Sequence, residues 1–139
     1  MQQQYIVLSV LIRNKVQWLV FIFLIDQGIK NFLVYSQGFT NFNTGIAWGW
    51  GKDINWMWIV LILIILLIKK FKFNHWVLLM ILGGLSNLID RFRWGGVVDY
   101  LDFFKLFEFN LADVMVFVGV IGLIYKQWVG DKYEDKKDI

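Results

Sequence analysis

Four long apolar stretches constrain the fold of this chain more than any other feature. The purest of them, NWMWIVLILIILLI, runs from Asn55 to Ile68 without a charged residue. Crossing the hydrocarbon core of a bilayer takes roughly 20 mostly apolar residues, and fewer where flanking side chains reach back to the interface. Hydrophobic residues make up 58% of the 139 residues, which is more apolar surface than a soluble domain of this size can bury. We therefore predict an all-α membrane protein.

The stretches predict a single integral-membrane domain over residues 1–139, folded as a four-helix transmembrane bundle. The expected spans are 16–35, 55–70, 75–92 and 111–129. We interpret Met1 to Lys15 as a short segment lying at the membrane surface. The segment 36–54 is rich in Gly, aromatic residues, Asn and Thr, which favours a small β hairpin or platform over another helix.

Basic residues orient the bundle, because Lys and Arg collect on the cytoplasmic side of membrane proteins. One side of the spans carries nine of them: Arg13, Lys15, Lys69, Lys70, Lys72, Lys126, Lys132, Lys136 and Lys137. The other side carries five: Lys30, Lys52, Arg91, Arg93 and Lys105. Both termini are therefore predicted to be cytoplasmic, and the segments 36–54 and 93–110 to be extracytoplasmic.

Composition excludes several kinds of site. The chain has no Cys and a single His, His75, so it has no disulfide framework, no thiolate metal site and no multi-His metal centre. A pI of about 9.2 does not indicate a nucleic-acid partner here, because the basic residues mostly flank apolar stretches.

Polar residues gather at the extracytoplasmic ends of the spans. Asp26 and Lys30 are spaced i, i+4 and are most simply a structural ion pair. Asn110 precedes the fourth span, where it either caps the helix or contacts a substrate. The spacing of Gly83, Asn87, Asp90 and Arg91 puts them on one face of the third span. Three more, Asn43, Thr44 and Gly45, lie in the segment 36–54, called the outer loop below. The Gly83–Gly84 pair would let a helix or a ligand approach closely.

Asp99 and Asp113 are the candidate catalytic residues. Asp113 falls inside the fourth apolar stretch without a base within four residues, and Asp99 follows the flexible, apolar GGVV. If the loop folds back, the two carboxylates face each other and share a proton, because both cannot ionise easily in low dielectric. The ionised member would then activate water and the protonated one polarise a carbonyl, as in aspartic proteases. Proton-relay carboxylates are an equally common interpretation in membrane proteins.

Five motifs in order resemble those of lipoprotein signal peptidase (signal peptidase II), a family of bacterial membrane aspartyl endopeptidases. The motifs are DQGIK from Asp26, NTGIAW from Asn43, GGLSNLIDR from Gly83, GGVVDYLDF from Gly95 and FNLAD ending at Asp113. Each motif alone is weakly specific, whereas five in order on a four-span chain are highly specific.

The resemblance implies that Asp99 and Asp113 form the catalytic dyad. It also implies supporting or substrate-binding roles for Asp26, Lys30, Asn43, Gly45, Gly84, Asn87, Arg91 and Asn110. The family removes the signal peptide of prolipoproteins by cutting just before a diacylglyceryl-modified Cys, and it needs no metal or organic cofactor. The expected partners are the lipidated prolipoprotein and membrane lipids, with globomycin as inhibitor. The expected setting is a monomer in the bacterial inner membrane, with its active site near the extracytoplasmic face.

Three positions depart from the family pattern. Ser86 stands where Gly is usual, Ile46 where Ala is usual, and Trp48 where Phe is usual. These side chains are larger or more polar, and they put fine specificity in question rather than the reaction. The main alternative from another functional class is a small transporter that uses the same carboxylates as a proton or cation path.

Overall fold

The computed structural model describes residues 2–40, 42–45, 56–71 and 74–134. Within these residues the chain is mostly helical, with one small two-stranded sheet. The elements in chain order are α1 (Gln2–Gln37), α2 (Trp56–Lys70), α3 (His75–Trp94), β1 (Leu101–Phe103), β2 (Phe107–Phe109) and α4 (Leu111–Glu134).

Helix α1 is longer than the sequence predicted. It is continuous over 36 residues, which corresponds to about 54 Å at the usual rise of an α-helix. The predicted span 16–35 lies inside it. Residues 2–15 extend the same helix instead of forming a separate segment, and their position relative to a membrane stays a prediction.

Helix α3 is the centre of the fold, because it packs against α1, α2 and α4. Its closest neighbour is α4, and small residues make the approach possible. A Cβ added at Gly83 would lie 2.5 Å from the carbonyl oxygen of Ala112, and one added at Gly122 would overlap the ring of Trp76. Such close contacts are typical of helices that pack within membranes.

Side-chain and backbone caps define both ends of α3. The Asn74 side chain accepts hydrogen bonds from the backbone N–H groups of Trp76 and Val77, as a favoured N-cap residue does. Gly95 ends the helix with a φ of 77°, and its N–H donates to the carbonyl of Arg91. Only glycine adopts this left-handed conformation without a steric cost, so Gly95 fixes where the following loop begins.

The sheet is a hairpin in a different place from the one predicted. β1 and β2 pair antiparallel between α3 and α4, and the turn residues Phe104 and Lys105 both have positive φ. A hairpin or platform within 36–54 stays a prediction for the residues of that segment that the structure does not describe, and the residues that it does describe form none. There, Ser36 and Gln37 end α1, and Asn43 forms a single bridge with Val97. Residues 41 and 46–54 lie outside the described ranges.

Two of the described helices are long and apolar enough to cross a membrane, over Asn14–Gln37 and Leu111–Val129. The 15 described residues of α2 are fewer than the roughly 20 that usually span the hydrocarbon core. The predicted spans 75–92 and 111–129 coincide with parts of α3 and α4. Of the span 55–70, Asn55 lies outside the described residues.

Candidate active site

The segment 97–100 is held in place at each residue. The backbone of Val97 exchanges two hydrogen bonds of 2.8 Å with Asn43, and the N–H of Val98 donates to Asp90 at 3.3 Å. The next two residues, Asp99 and Tyr100, bond through their side chains. The segment approaches the outer loop closely at Gly96, where an added Cβ would lie 2.9 Å from that of Phe42. The carboxylate of Asp99 is therefore presented from an anchored loop, although the loop has no regular secondary structure.

Asp99 is buried, and two side-chain amides donate to its carboxylate. Asn110 Nδ2 lies 2.7 Å from Oδ1, and Asn43 Nδ2 lies 2.8 Å from Oδ2. The pKa of Asp99 is raised to about 6, chiefly by burial and also by the negative charge of Asp113, against the lowering effect of the two amide hydrogen bonds. Desolvation thus prevails over hydrogen bonding, and Asp99 titrates near the working pH of a general acid or base.

Asp113 is fixed by the start of α4. The side chain of Asn110 accepts from the N–H of Asp113 at 3.0 Å, and Asp113 Oδ2 accepts from the N–H of Asn110 at 3.1 Å. This reciprocal arrangement is a capping box, which satisfies backbone donors that have no partner within the helix. The predicted capping role of Asn110 is therefore confirmed. The cap also orients the carboxylate of Asp113.

Two asparagines connect the carboxylates of Asp99 and Asp113. Asn110 Nδ2 donates both to Asp99 and to Asn87 Oδ1, the latter at 3.1 Å. Asn87 Nδ2 then donates to Asp113 Oδ1 at 2.7 Å. The fold therefore brings the two predicted carboxylates to the same site, although Asp99 lies in a loop and Asp113 in a helix.

A buried ammonium group stabilises the site from the side of α1. Lys30 Nζ lies 2.8 Å from Asp26 Oδ2 and 2.8 Å from Asp90 Oδ2, and all three side chains are fully buried. The predicted ion pair of Asp26 and Lys30 is confirmed, and Lys30 also pairs with Asp90. Lys30 Nζ also donates to Asn87 Oδ1 at 3.0 Å. Because this oxygen accepts from Lys30 and Asn110, the amide of Asn87 must present its N–H groups to Asp113.

Asp26 joins four parts of the chain through one carboxylate. Its Oδ2 accepts from Ser86 Oγ at 2.5 Å as well as from Lys30, and its Oδ1 accepts from the Tyr100 hydroxyl at 2.8 Å and from the N–H of Ala112 at 3.3 Å. The role of Tyr100 is not visible in the sequence, because an aromatic residue in a chain rich in aromatics carries no signal by itself. Ser86 stands out in the sequence only as a departure from a family pattern.

Arg91 links α3 to the outer loop. Its Nη2 donates to the carbonyl of Gly45 at 3.0 Å, and its Nη1 donates to the carbonyl of Asn87 at 3.3 Å. Gly45 is buried, and its own N–H donates to Asn43 Oδ1. Arg91 thus holds the loop that supplies an amide to Asp99.

Some predicted residues lie outside this cluster. Gly84 faces α2, where an added Cβ would contact the side chain of Ile64 at 3.4 Å. Ile46 and Trp48 lie outside the described residues. Asp102 and Glu108 are exposed and lie opposite each other on the hairpin.

The remaining predicted residues form one polar cluster at a single end of the helices: Asp26, Lys30, Asn43, Gly45, Asn87, Arg91, Asn110, Asp99 and Asp113. A largely apolar helical protein with a buried and a half-buried carboxylate connected by amides belongs, by class, with membrane proteins whose acidic residues serve chemistry or transport.

Comparison with known proteins narrows this class to a family. The family described as "Signal peptidase (SPase) II" matches residues 18–129, and the chain belongs to it. Relatives named lipoprotein signal peptidase are 53% identical over 57 residues in Halothermothrix orenii, 55% over 49 residues in Clostridioides difficile and 42% over 67 residues in Streptococcus agalactiae. These matches cover 41%, 34% and 44% of the chain, and only 39%, 33% and 44% of the relatives' own length.

A solved structure shares the overall fold. It is described as a bacterial membrane enzyme determined by the in meso method. The two are 28% identical with a TM-score of 0.69, over 87% of this chain and 90% of the other.

Proposed function

We propose that this protein is an aspartic endopeptidase that removes signal peptides from diacylglyceryl-modified prolipoproteins, cutting just before the lipidated Cys. The observation that carries the proposal is the pair of the buried Asp99 and the half-buried Asp113, connected through Asn87 and Asn110 in a chain of the signal peptidase II family.

The chemistry follows from a carboxylate pair that holds one proton. The two acids titrate as one coupled pair, and we write the shared proton on Asp99, whose pKa burial raises to about 6. Asp113 would take a proton from water as the water oxygen attacks the scissile carbonyl, while Asp99 donates a hydrogen bond to the carbonyl oxygen. Collapse of the tetrahedral intermediate breaks the C–N bond, and the leaving amine receives a proton from the pair. The pair then again holds one proton, and no metal or organic cofactor takes part.

The surroundings of the pair suit this reaction. Asn43 and Asn110 hold the two oxygens of Asp99, and Lys30 and Arg91 supply positive charge without direct bonds to either acid. An intact helix hides its carbonyl groups in hydrogen bonds, so the signal peptide must unwind at the scissile bond. The outer loop that contains Asn43 and Gly45 would lie over such a substrate.

We further propose that the helices form a four-helix transmembrane bundle in the bacterial inner membrane. Both termini would be cytoplasmic and the protein would act as a monomer. The collection of the polar residues at one end of the helices supports this arrangement, since water would reach that end while acyl chains would remain in lipid. Globomycin is the expected inhibitor.

Substitution of the two acids tests the proposal. Asp99→Asn and Asp113→Asn should each lower the cleavage of a lipidated prolipoprotein peptide by roughly 10²–10⁴-fold, because the pair can no longer both activate water and donate a proton. The measurement is the initial rate for purified protein in detergent, with thermal unfolding recorded in parallel.

Asp102→Asn is the matched control, because Asp102 is an exposed carboxylate on the same connection. It should retain the rate of the unsubstituted protein. Near-normal cleavage by either dyad variant would refute the proposal. Charge movement in liposomes, together with an absence of proteolysis, would favour a transporter instead.

A further inference from the structure

Tyr100 makes hydrogen bonds that do not involve either of the two candidate catalytic acids. It follows Asp99 directly, and its hydroxyl has partners on two other elements. It donates to Asp26 Oδ1 on α1 at 2.8 Å and accepts from the N–H of Leu111 on α4 at 3.2 Å. Burial raises the pKa of Tyr100, and the hydrogen bond to Asp26 raises it further, so the hydroxyl keeps its proton and remains a donor.

The acceptor of this hydrogen bond is shared. Asp26 Oδ1 also accepts from the N–H of Ala112 at 3.3 Å. Tyr100 is the residue after Asp99, and Ala112 is the residue before Asp113. One oxygen atom on α1 therefore holds the chain next to both acids.

We propose that Tyr100 is a positioning residue, whose hydroxyl sets the separation and orientation of Asp99 and Asp113 by tying the Asp99 loop to Asp26 and to the first residue of α4. This inference rests on the proposed function, in which the two carboxylates act together. Reacting groups lose about a hundredfold in rate when they are displaced by roughly 1 Å, so an anchor of this kind matters for the reaction.

The hydrogen bond of Tyr100 holds the part of the loop that follows Asp99, which the contacts of Asp99 itself do not hold. On the N-terminal side, Val97 and Val98 hold the loop through their backbones. On the C-terminal side the chain enters β1, whose residues are all exposed. Tyr100 is the point where the loop is fixed to buried structure on that side of Asp99.

Replacement of Tyr100 by Phe tests the proposal with the loss of one oxygen atom. Tyr100→Phe should lower kcat by about tenfold while the substrate KM stays unchanged, because the hydroxyl bonds to Asp26 and Leu111 and acts on the placement of the two acids rather than on substrate binding. The alkaline limb of the pH–rate profile should also move to lower pH. A looser loop lets water reach Asp99 and takes it further from Asp113, and both changes lower the pKa of Asp99.

The charged groups around Asp99 are Asp113 on α4, Lys30 on α1 and Arg91 on α3, and all three remain in the variant. A purely structural role for Tyr100 would reduce the fraction of folded enzyme without moving the profile. Tyr125→Phe is the matched control, since Tyr125 is 62% exposed on α4, and it should change neither kcat nor the profile.

A second measurement does not depend on the reaction. In protein labelled with ¹³C at the Asp carboxyl groups, NMR titration in detergent follows Asp99, which is assigned by the loss of its signal in Asp99→Asn. Tyr100→Phe should lower the pKa of Asp99, and Tyr125→Phe should leave it unchanged.

The two measurements separate the possible failures. An unshifted Asp99 titration together with an unshifted pH–rate profile in Tyr100→Phe would overturn the positioning role. The proposed function would still stand in that case, provided that Asp99→Asn and Asp113→Asn lose cleavage. If the unsubstituted protein does not cleave the lipidated peptide, the proposed function fails, and the NMR titration alone decides whether Tyr100 positions Asp99.

Discussion

At the scale of single residues, the site balances buried charge against hydrogen bonds. Asp26, Lys30 and Asp90 are fully buried, and breaking a buried ion pair by removing one partner typically costs about 3–5 kcal/mol. Each oxygen of Asp26 and Asp90 accepts from at least one donor, so the desolvated charges are compensated. Ser86 is one of these donors, and its hydroxyl joins α3 to α1 at a position where the family pattern has no side chain.

The balance at Asp99 predicts how an amide neighbour controls its titration. The hydrogen bond from Asn43 to Asp99 Oδ2 lowers the pKa of that carboxyl. Asn43→Ala removes this hydrogen bond. The folded-state pKa, already raised to about 6, should therefore rise further, and the pair should keep its proton to higher pH. Since the proposed reaction needs that proton, the alkaline limb of the cleavage profile should move to higher pH.

The measurement is the pH dependence of kcat over the range in which the protein remains folded. Thr44→Ala, at the exposed neighbouring position, provides the control and should leave the limb in place. A limb that moves to lower pH in Asn43→Ala would contradict the assignment of the proton to Asp99. Asn43→Ala also removes the hydrogen bond from the N–H of Gly45 to Asn43 Oδ1, whereas the backbone bridge between Asn43 and Val97 does not involve the substituted side chain and remains.

At the scale of the elements, glycines control the approach of α3 and α4. Gly122→Ala should destabilise the protein, because the added Cβ overlaps the ring of Trp76 and the helices would have to move apart. Overpacking of this kind typically costs about 1–3 kcal/mol. The loss should appear as a lower midpoint of thermal or denaturant unfolding in detergent.

Gly28→Ala is the opposite case on α1, because no atom lies within 4 Å of the added Cβ. Alanine is better than glycine in a helix by about 1 kcal/mol, so this variant should be equally or more stable. If Gly122→Ala were as stable as Gly28→Ala, the close packing of α3 on α4 would be in doubt.

The same elements separate what the sequence predicts from what it does not. The pairing of Asp26 with Lys30 follows from their i, i+4 spacing, and the cap at Asn110 follows from its place before an apolar stretch. The hairpin at 101–109 was missed because its turn residues, Phe104 and Lys105, have positive φ without the Asn or Gly that usually indicates such a turn. The segment 36–54 does contain such Gly and Asn residues, so the sequence favours a hairpin there instead.

Contacts between distant parts of the chain were the least predictable. Tyr100 bonds to a residue 74 positions away, and Asn43 to one 56 positions away. Such pairs depend on how the helices pack, and local spacing contains no information about packing. The chemistry of carboxylates and a motif resemblance identify Asp99 and Asp113 from the sequence. The same resemblance indicates that Asn87 and Asn110 support the site, but it does not predict that these two amides connect the two acids.

At the scale of the whole molecule, the remaining question is how the protein lies in a membrane. The exposed surfaces of the helices are strongly apolar, with side chains such as Phe32, Leu63 and Phe117 more than half exposed. A lipid environment removes the cost of that exposure. The polar cluster and the hairpin both lie at the connection between α3 and α4, so they should face the same aqueous compartment.

The absence of native Cys makes this topology directly measurable. Lys105→Cys places a thiol on the exposed hairpin turn, and Lys69→Cys places one on the exposed end of α2. A membrane-impermeant maleimide should label Lys105→Cys in right-side-out spheroplasts and should label Lys69→Cys only after lysis. Because both substitutions replace an exposed Lys, differences in reactivity report the side of the membrane rather than burial. Labelling of Lys69→Cys in intact spheroplasts, with Lys105→Cys protected until lysis, would invert the orientation and place the carboxylate pair on the cytoplasmic side, where a protease acting on exported prolipoproteins would not meet its substrate.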